Sequence, residues 1–423
     1  MSDLQSLLEQ AQAGNARAQF SVGSVYHHGL FGEPRDLRQA LHWYEQAAQQ
    51  NHLDAQVNLA IICISELSQE GRPKDVAKAC LWFEKAAAQG DAQAMYYLGR
   101  LYWHGEDVPR DLQKGLRWYQ QAANGGSGEA CNDLGVIYAN GQGVRQDDVR
   151  AAEYYRRGVQ AGNVPASYNL GLCYYEGGGV PHDLHEAIQL FKVAAEKGHA
   201  SAQHNLGALL LSGDGVAKDE AAGFAWILQA ARNNESNAQY EAAQCFRLGR
   251  GTAQDFTQAF QWYRTAARQR HTEALFCAGL MLAEGLGFDR PHPDKAEAYY
   301  QHAAMQGHAG AAHNLGIMFA KGNGVAQDPH MALELFEYAV SRSNDDAMFS
   351  AGLIHAQMPG GDPLTALVWG LLSERYCPQG QGRVLVERVS VSMTPEDIAE
   401  ARRRAAAWKR ADKVMAWHVS TTR

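Results

Sequence analysis

Apolar positions along the chain recur at helical spacing and stop at polar turns that contain glycine. Residues 169–183 read NLGLCYYEGGGVPHD, an apolar run followed by three glycines and then by Pro181 and Asp183. Apolar residues on one helix face that end at glycine indicate a helix stop, and an aspartate shortly afterwards indicates a helix start. The stretch therefore predicts a turn between two helices.

A phosphate-binding loop is the alternative interpretation of these glycines. Such a loop presents backbone N–H groups at a helix N-terminus, usually after a strand, with a lysine or an acidic partner to complete the site. No Lys-Ser or Lys-Thr pair follows the glycines, and similar turns recur as HGEDVPRD, NGQGVRQD, SGDGVAKD and KGNGVAQD. This recurrence favours a structural turn.

The whole pattern repeats along the chain. An alanine is followed five residues later by a glycine or a second alanine, and from Ala94 to Ala274 successive alanines lie 36 residues apart. Self-similarity of this length indicates stacked supersecondary units. The register alanines are Ala18, Ala55, Ala94, Ala130, Ala166, Ala202, Ala238, Ala274, Ala311 and Ala347.

Each unit is predicted to contain two helices. The first carries small residues that let a neighbouring helix approach, and it ends at a glycine that can adopt the left-handed conformation. The second begins at an aspartate seven residues before a large residue such as Trp118, and an aspartate cap is worth about 1 kcal/mol. Repeat eight has His292 there instead, with Asp294 as an alternative cap. The aspartates are Asp36, Asp75, Asp111, Asp147, Asp183, Asp219, Asp255, Asp328 and Asp362.

These motifs carry a family resemblance. The segments RWYQQAANGG and YNLGLCYYEGGGV resemble the Sel1-like repeat family, a relative of the tetratricopeptide repeat with a longer interhelical loop, over residues 16–376. The resemblance implies an all-α fold, a right-handed superhelical α-solenoid of about ten two-helix repeats. Repeat two, with SELSQEGRPKD, lacks the usual turn glycine, and repeat ten has Ser373 and Glu374 in place of the usual alanine pair. A distorted loop in repeat two is expected.

The ends of the repeat array are expected to be capped, because a terminal repeat would otherwise expose its apolar face. Residues 1–15 predict an N-terminal capping helix, and residues 377–423 predict a loop followed by a basic capping helix. Thr394 and Pro395 supply the start signals of that last helix. We interpret the run at residues 402–404 as its solvated face, with an anionic docking patch as the alternative.

Composition and net charge argue against a membrane-spanning protein and against a nucleic-acid binder. Hydrophobic residues make up 46% of the 423 residues, and no apolar run approaches the ~20 residues of a membrane span. The net charge is −8, of which the part from Gln379 onward contributes +4 and the rest −12. A nucleic-acid binder usually carries a basic face along its main domain, so we expect no nucleic-acid partner.

The cysteines and the first residues bear on the compartment. MSDLQSLLEQAQAGN lacks the basic region and apolar core of a signal peptide, and the seven cysteines form no CxxC pair. We therefore expect a cytoplasmic protein with free thiols. Cys63 and Cys80 fall in the two helices of one repeat, and the family resemblance implies that they would pair only in an oxidising compartment.

The candidate binding surface follows from the family analogy, in which first helices line a concave face. Two rows of residues, two and nine places after each register alanine, would line that groove. Aromatic residues and arginine dominate protein interfaces; the alternative is that the first row belongs partly to the core. The recurring Asn58, Asn169, Asn205 and Asn314 are expected to tie neighbouring helices, with binding of a peptide backbone as the alternative. The candidate partner-binding residues are Tyr96, Trp103, Tyr168, Tyr175, His204, Tyr240, Arg247 and His313.

Three function hypotheses remain. The first is a non-enzymatic scaffold or adaptor that binds a partner protein on its concave face, and the resemblance implies a bacterial regulatory or assembly role. The second is an immunity protein that blocks a toxin enzyme, and the third is an enzyme with its site in residues 377–423. His182 and His185 lack a third ligand, so we expect no metal site and no cofactor.

Overall fold

The computed structural model describes residues 2–66, 74–105, 107–377 and 380–410. Its regular elements there are 23 α-helices and one π-helical turn, Ile62–Glu66, that continues α4. The helices are α1 (Ser2–Gln12), α2 (Ala16–His28), α3 (Leu37–Gln49), α4 (Leu53–Ile61), α5 (Val76–Ala88), α6 (Ala92–His104), α7 (Leu112–Asn124), α8 (Gly128–Asn140), α9 (Asp148–Gln160), α10 (Val164–Glu176), α11 (Leu184–Glu196), α12 (Ala200–Ser212), α13 (Glu220–Arg232), α14 (Ser236–Leu248), α15 (Phe256–Arg268), α16 (Thr272–Glu284), α17 (Pro293–Met305), α18 (Ala309–Lys321), α19 (Pro329–Ser341), α20 (Asp346–Gln357), α21 (Pro363–Tyr376), α22 (Gly382–Ser390) and α23 (Pro395–Ala407).

The predicted all-α repeat fold is confirmed. Helices α2 to α21 form ten consecutive pairs, and we call the first helix of each pair the A helix and the second the B helix. The chain divides into two compact units, residues 1–202 (unit 1) and residues 203–423 (unit 2). No helix of the described segments combines the length and the apolar character that crossing a membrane requires.

Aspartate caps start nine of the ten B helices, as the sequence predicts. In α7, for example, the Asp111 carboxylate accepts a hydrogen bond of 2.9 Å from the Lys114 amide. Helix α17 follows His292, whose side chain makes no capping bond, and Asp294 lies inside the first turn. The alternative cap at Asp294 is therefore not used, and α17 begins without a side-chain acceptor.

The turn at residues 177–183 connects an A helix to its B helix, which answers the phosphate-loop alternative. Gly177 has φ +78° and donates its N–H to the Cys173 carbonyl, so it ends α10 in the left-handed conformation. Gly179 lies against the Asp148 carbonyl so closely that a side chain would not fit. The glycines therefore serve a helix end and a close contact with the start of the preceding B helix. The corresponding turn of repeat two, residues 67–73, lies outside the described residues.

In most repeats the core forms where a large B-helix side chain, usually an aromatic ring, meets a small residue of the A helix. Tyr119 is 1% exposed and packs against Gly99, whereas the neighbouring Trp118, which the sequence pattern singled out, is only half-buried. The residue that fills the core therefore stands eight places after the cap, one place beyond the large residue of the sequence pattern. Its counterparts in other repeats are Tyr44, Phe83, Tyr155, Phe191, Ile227, Tyr263, Tyr300 and Phe336.

Additional helices cover both ends of the repeat array. At the N-terminus, α1 buries Ala11 against α2, with Leu7 and Leu8 packed beside it. At the C-terminus the sequence predicted a loop before the last helix, but the structure has α22 there, because Leu385 and Val389 share one buried face. Residues 411–423, which belong to the predicted basic end, lie outside the described residues.

Candidate protein-binding surface

In unit 1, Tyr96 lies half-buried on A helix α6. Its ring centroid is 5.9 Å from that of Tyr119, and its hydroxyl donates a hydrogen bond to Asp133 on the next A helix. Burial, together with the negative charge of Asp133, raises the pKa of Tyr96 to about 12. The phenol therefore stays protonated and acts as a hydrogen-bond donor at neutral pH.

Trp103 lies in the core of unit 1 rather than on its surface. It is 5% exposed, and its ring centroid is 6.2 Å from that of Tyr119. In this position it stabilises the repeat and offers no area to a partner. Tyr175 lies at the end of A helix α10 and is 45% exposed, so it offers far more area.

Tyr168 on α10 combines a structural contact with partial exposure. Its ring stacks on that of His199 with centroids 4.6 Å apart, and it lies 5.9 Å from Phe191 in the core. Tyr168 is nevertheless only partly buried. Tyr96 and Tyr168 thus belong to the surface and to the packing at the same time.

In unit 2, the predicted residues are held by polar contacts between neighbouring side chains. His204 binds Glu241 at 2.8 Å, and His313 binds the Ser350 hydroxyl at 2.9 Å. Arg247 donates to the Gln244 side chain at 2.8 Å and to the Tyr263 hydroxyl at 3.3 Å. Tyr240 receives a hydrogen bond of 2.7 Å from the Gln244 amide. Gln244 therefore joins Tyr240 and Arg247 in one network.

Several of these contacts follow one rule. A residue two places after a register alanine bonds to the residue three places after the next register alanine. Asn132 and Asn169 are joined in this way at 2.9 Å, and the Tyr96–Asp133, His204–Glu241 and His313–Ser350 pairs occupy the same positions. Asn169 thus ties neighbouring A helices. Side-chain bonds between consecutive repeats stabilise the array and also hold the surface side chains in place.

Unit 2 contains a cleft of about 430 Å³ on this surface, which we call the A-helix cleft. It is formed by α12, by α14 and by the residue that precedes α16. Its lining combines two predicted residues, His204 and Tyr240, with residues that sequence analysis missed. The other lining residues are Asn237, Glu241, Gln244, Cys245, Leu248, Arg250 and His271.

A simple positional signal would have found several of the missed residues. Glu241, Gln244 and Leu248 stand three, six and ten places after the register alanine Ala238, whereas the sequence analysis considered only the places two and nine. Successive turns of one helix face bring these places together. Leu248 is 52% exposed, which is unusual for a large apolar residue beside charged groups.

Asp133 and His204 both have raised pKa values, but for different reasons. Burial raises the pKa of the Asp133 carboxyl, although hydrogen bonds from Asn132 and Tyr96 and the charge of Arg100 oppose the shift. Burial lowers the pKa of His204, but the hydrogen bond and charge of Glu241 outweigh it, so that this pKa is raised. Ionised Asp133 is therefore disfavoured by folding, and protonated His204 is favoured.

Within the described ranges, no three or more histidine, cysteine, aspartate or glutamate side chains cluster as metal ligands would. Cys80 is a free thiol and is therefore not joined to Cys63, and Cys131, Cys173, Cys245, Cys277 and Cys377 are free thiols as well. At the C-terminal end, Arg403 and Arg404 form exposed ion pairs with Glu400.

Comparison with known proteins identifies the repeat. The model of the Sel1 repeat matches nine consecutive segments of the chain, and the pair α20 and α21 lies beyond them. The matched segments are residues 16–52, 53–91, 92–127, 128–163, 164–199, 200–235, 236–271, 272–308 and 309–344.

Solved structures agree with this match. One similar structure is a protective antigen of uropathogenic Escherichia coli strains that displays an SLR fold; it is 28% identical, with a TM-score of 0.76 over 94% of this chain and 85% of the other. A Sel1 repeat protein from Oxalobacter formigenes is 29% identical, with a TM-score of 0.56 over 73% of this chain and 89% of the other. A comparison with curated proteins gave no significant match.

Proposed function

Because the chain belongs to the Sel1 repeat family, we propose that it is a non-enzymatic scaffold that binds a partner protein on its A-helix surface. Sel1 repeat proteins generally mediate protein–protein interactions. The A helices present side chains of the kinds that anchor interfaces, including half-buried tyrosines and an arginine. The same side chains are held by bonds between repeats, which reduces the conformational entropy that binding would cost.

The A-helix cleft is the observation that carries this proposal. Consecutive A helices and the turn after α14 contribute to one cleft, whose lining includes His204, Tyr240, Arg250 and the exposed Leu248. A mainly apolar cavity with a few fixed polar groups is the usual form of a binding site. A partner that inserts an apolar side chain beside Leu248 would also meet hydrogen-bonding groups at the rim.

The other predicted residues differ in how much they could contribute to the proposed surface, because they differ in exposure. In unit 1, Tyr175 offers exposed area, and Tyr96 and Tyr168 are partly exposed. Arg247 and His313 contribute polar contacts in unit 2. Trp103 is left out, because its burial assigns it to the core.

Charge and thiol state supply the remaining parts of the proposal. The residues before Gln379 carry a net charge of −12, which favours a neutral or basic partner through electrostatic complementarity. We place the protein in the cytoplasm, because Cys80 and five further cysteines are free thiols and several cysteines are buried, as in a reducing compartment. A regulatory or assembly role in a bacterium agrees with the bacterial sources of the similar structures.

A pair of matched variants tests the binding site. Leu248 ends an A helix and is 52% exposed, whereas Met305 ends a B helix and is 48% exposed. A lysine at either position lies at a helix C-terminus, where a positive charge is tolerated. Leu248→Lys and Met305→Lys should therefore fold equally well and differ only in the surface that they alter.

The experiment is affinity capture from bacterial lysate followed by calorimetric titration of the purified partner. We expect Leu248→Lys to weaken binding at least tenfold while Met305→Lys binds like the unaltered protein, since a buried charge opposes an apolar contact. If both variants bind the partner with equal affinity, the A-helix cleft is not the binding site. If the captured partner is an enzyme that loses activity on binding, the inhibitor hypothesis replaces that of an adaptor.

A further inference from the structure

Four A helices begin with a histidine whose ring nitrogen caps the helix. The residue three places before the register alanine is the cap, and its Nδ1 atom accepts the backbone N–H of that alanine. This arrangement starts α4, α12, α16 and α18. The capping distances are 3.4 Å for His52, 3.3 Å for His199, 3.2 Å for His271 and 2.9 Å for His308.

Each of these imidazoles also stacks on an aromatic ring of the preceding A helix. His271 lies 4.8 Å from Tyr240 between ring centroids, at an interplanar angle of 16°. The stack fixes the plane of the imidazole, and the capping bond selects the orientation in which Nδ1 faces the helix start. The other stacked pairs are Phe20–His52, Tyr168–His199 and Phe276–His308, with centroid distances of 4.7, 4.6 and 4.3 Å.

The capping bond requires a neutral imidazole. Once protonated, both ring nitrogens are donors, so the Nδ1 atom can no longer accept the alanine N–H. The positive charge would also stand at the positive end of the helix dipole. In contrast, the A helices α2, α6, α8, α10 and α14 are capped by Asn15, Asp91, Ser127, Asn163 and Glu235, whose oxygens accept without this requirement.

We propose that the histidine caps of α12 and α16, His199 and His271, form a pH-sensitive device, in which mild acid opens the first turn of these two helices and leaves the A helices with oxygen caps closed. Because His199 and His271 stack on Tyr168 and Tyr240 of the preceding A helices, acid would loosen the A-helix surface at these repeats. This inference concerns folding and does not depend on which partner the surface binds.

The groups around His271 affect its pKa and therefore the pH range in which its capping bond is lost. Tyr240 faces it from α14, Glu235 stands at the cap of α14, and Glu273 follows on α16. Burial lowers the pKa of His271 below its ordinary 6.5, although Glu273 and Glu235 oppose the shift. His204, Glu241 and Arg250 line the same cleft, and Glu273 also pairs with the His308 Nε2 atom at 3.3 Å. Burial likewise lowers the pKa of His199, on whose ring Tyr168 stacks.

The lowered pKa values of His199 and His271 determine how stability depends on pH. A folded-state pKa below the unfolded value means that the unfolded chain binds more protons in the interval between them. The stabilisation is therefore complete above pH 6.5 or so and falls as the pH decreases toward the folded-state pKa. The His204–Glu241 pair acts in the opposite direction, since the pKa of His204 is raised.

Site-resolved amide hydrogen exchange tests the device on the whole protein. Exchange is measured at about pH 7.5 and about pH 5.5 and corrected for the intrinsic pH dependence of each amide. We expect the Ala202 and Ala274 amides to lose protection at the lower pH by a factor on the order of five, as loss of a helix cap predicts. The Ala94 and Ala166 amides, at helices capped by Asp91 and Asn163, should keep theirs.

The variants His271→Asn and His271→Asp separate titration from capping. Asparagine and aspartate serve as caps at the same register in α10 and α6, so both variants should fold. Either variant should abolish the acid response at Ala274 and leave the response at Ala202 intact. An equal acid response at all A-helix starts, or a response at Ala274 that persists in both variants, would overturn the proposal.

Discussion

The ring of Tyr119 lies directly against Gly99, and a Cβ atom added to Gly99 would stand 2.7 Å from the Tyr119 Cδ1 atom. Glycine at this place lets the A and B helices of a repeat approach until ring and backbone touch. The same contact recurs at Gly23, Gly171, Gly279 and Gly316 with the B-helix rings opposite them. The small residue of the repeat is thus a packing requirement.

Replacing this glycine should cost stability. Gly99→Ala forces the Tyr119 ring to shift within a full core, for which we expect a loss of about 1–3 kcal/mol in the free energy of unfolding. The matched control is Gly178→Ala, because Gly178 has open space around its Cα atom and no positive φ. Urea unfolding followed by circular dichroism measures both. Equal stability of the two variants would contradict this account of the core.

Supplying the missing cap should increase stability. Helix α17 starts at His292 without a side-chain capping bond, whereas nine B helices use aspartate there. We expect His292→Asp to raise the free energy of unfolding by about 0.5–1 kcal/mol, the lower part of the range for a cap. His292→Ala is the control and should bring no gain. Thermal unfolding compares the two, and a gain in the alanine variant would assign the effect to something other than capping.

The buried carboxyl of Asp133 should make unit 1 less stable as the pH rises. Because its pKa is raised above the ordinary 3.8, the folded state holds this proton more tightly than the unfolded state. Stability contributed by the protonated form is present at low pH and lost above the folded-state pKa. Asp133→Asn should therefore be more stable than the unaltered protein at pH 7, with a difference that shrinks toward pH 4. Denaturant titrations across this range measure the difference, and one that stays constant with pH would argue against it.

The stabilisation from His204 should also decline as the pH rises, but in a higher pH range than for Asp133. Its pKa is raised because Glu241 binds the protonated ring, so its stabilisation is full below the unfolded value near 6.5 and declines as the pH rises through the folded-state pKa. His204→Gln should lose more stability at pH 6 than at pH 8. Glu241→Gln should reproduce this pattern by removing the partner. If the loss is the same at both pH values, the pair contributes as a neutral hydrogen bond only.

Tyr175 tests whether the proposed surface extends through unit 1. It is 45% exposed on an A helix, and Val193 is 43% exposed on the following B helix. Tyr175→Ala should weaken binding of the captured partner several-fold, since exposed tyrosines are frequent anchors, while Val193→Ala should leave it unchanged. Calorimetry with purified proteins compares them. A larger effect of Val193→Ala would move the interface to the B helices.

Periodicity made much of the fold predictable. The 36-residue interval, the cap aspartates and the helix-ending glycines each act locally, so the sequence alone indicates helix pairs and their boundaries. The helix α22 escaped prediction, because it has no repeat to compare with and is defined by the packing of Leu385 and Val389 against α21.

The site was less predictable than the fold. Tyr96, Tyr168 and Tyr240 share one register, which the sequence shows, but how much of each ring is covered depends on neighbours one repeat away. Trp103 and Tyr175 occupy equivalent places and differ greatly in exposure, 5% against 45%. Only packing decides between them, because the same helix position is core in one repeat and surface in another.

The sequence by itself determined the repeat, the two helices of each repeat and the residues that start and end these helices. These features depend on contacts within a few residues along the chain. The tertiary structure decided which ring fills each core, which side chains bond between repeats and where the A-helix cleft lies. Those features join residues about 37 positions apart, as in the His204–Glu241 pair. Such contacts depend on how neighbouring repeats stack, and no local pattern specifies that.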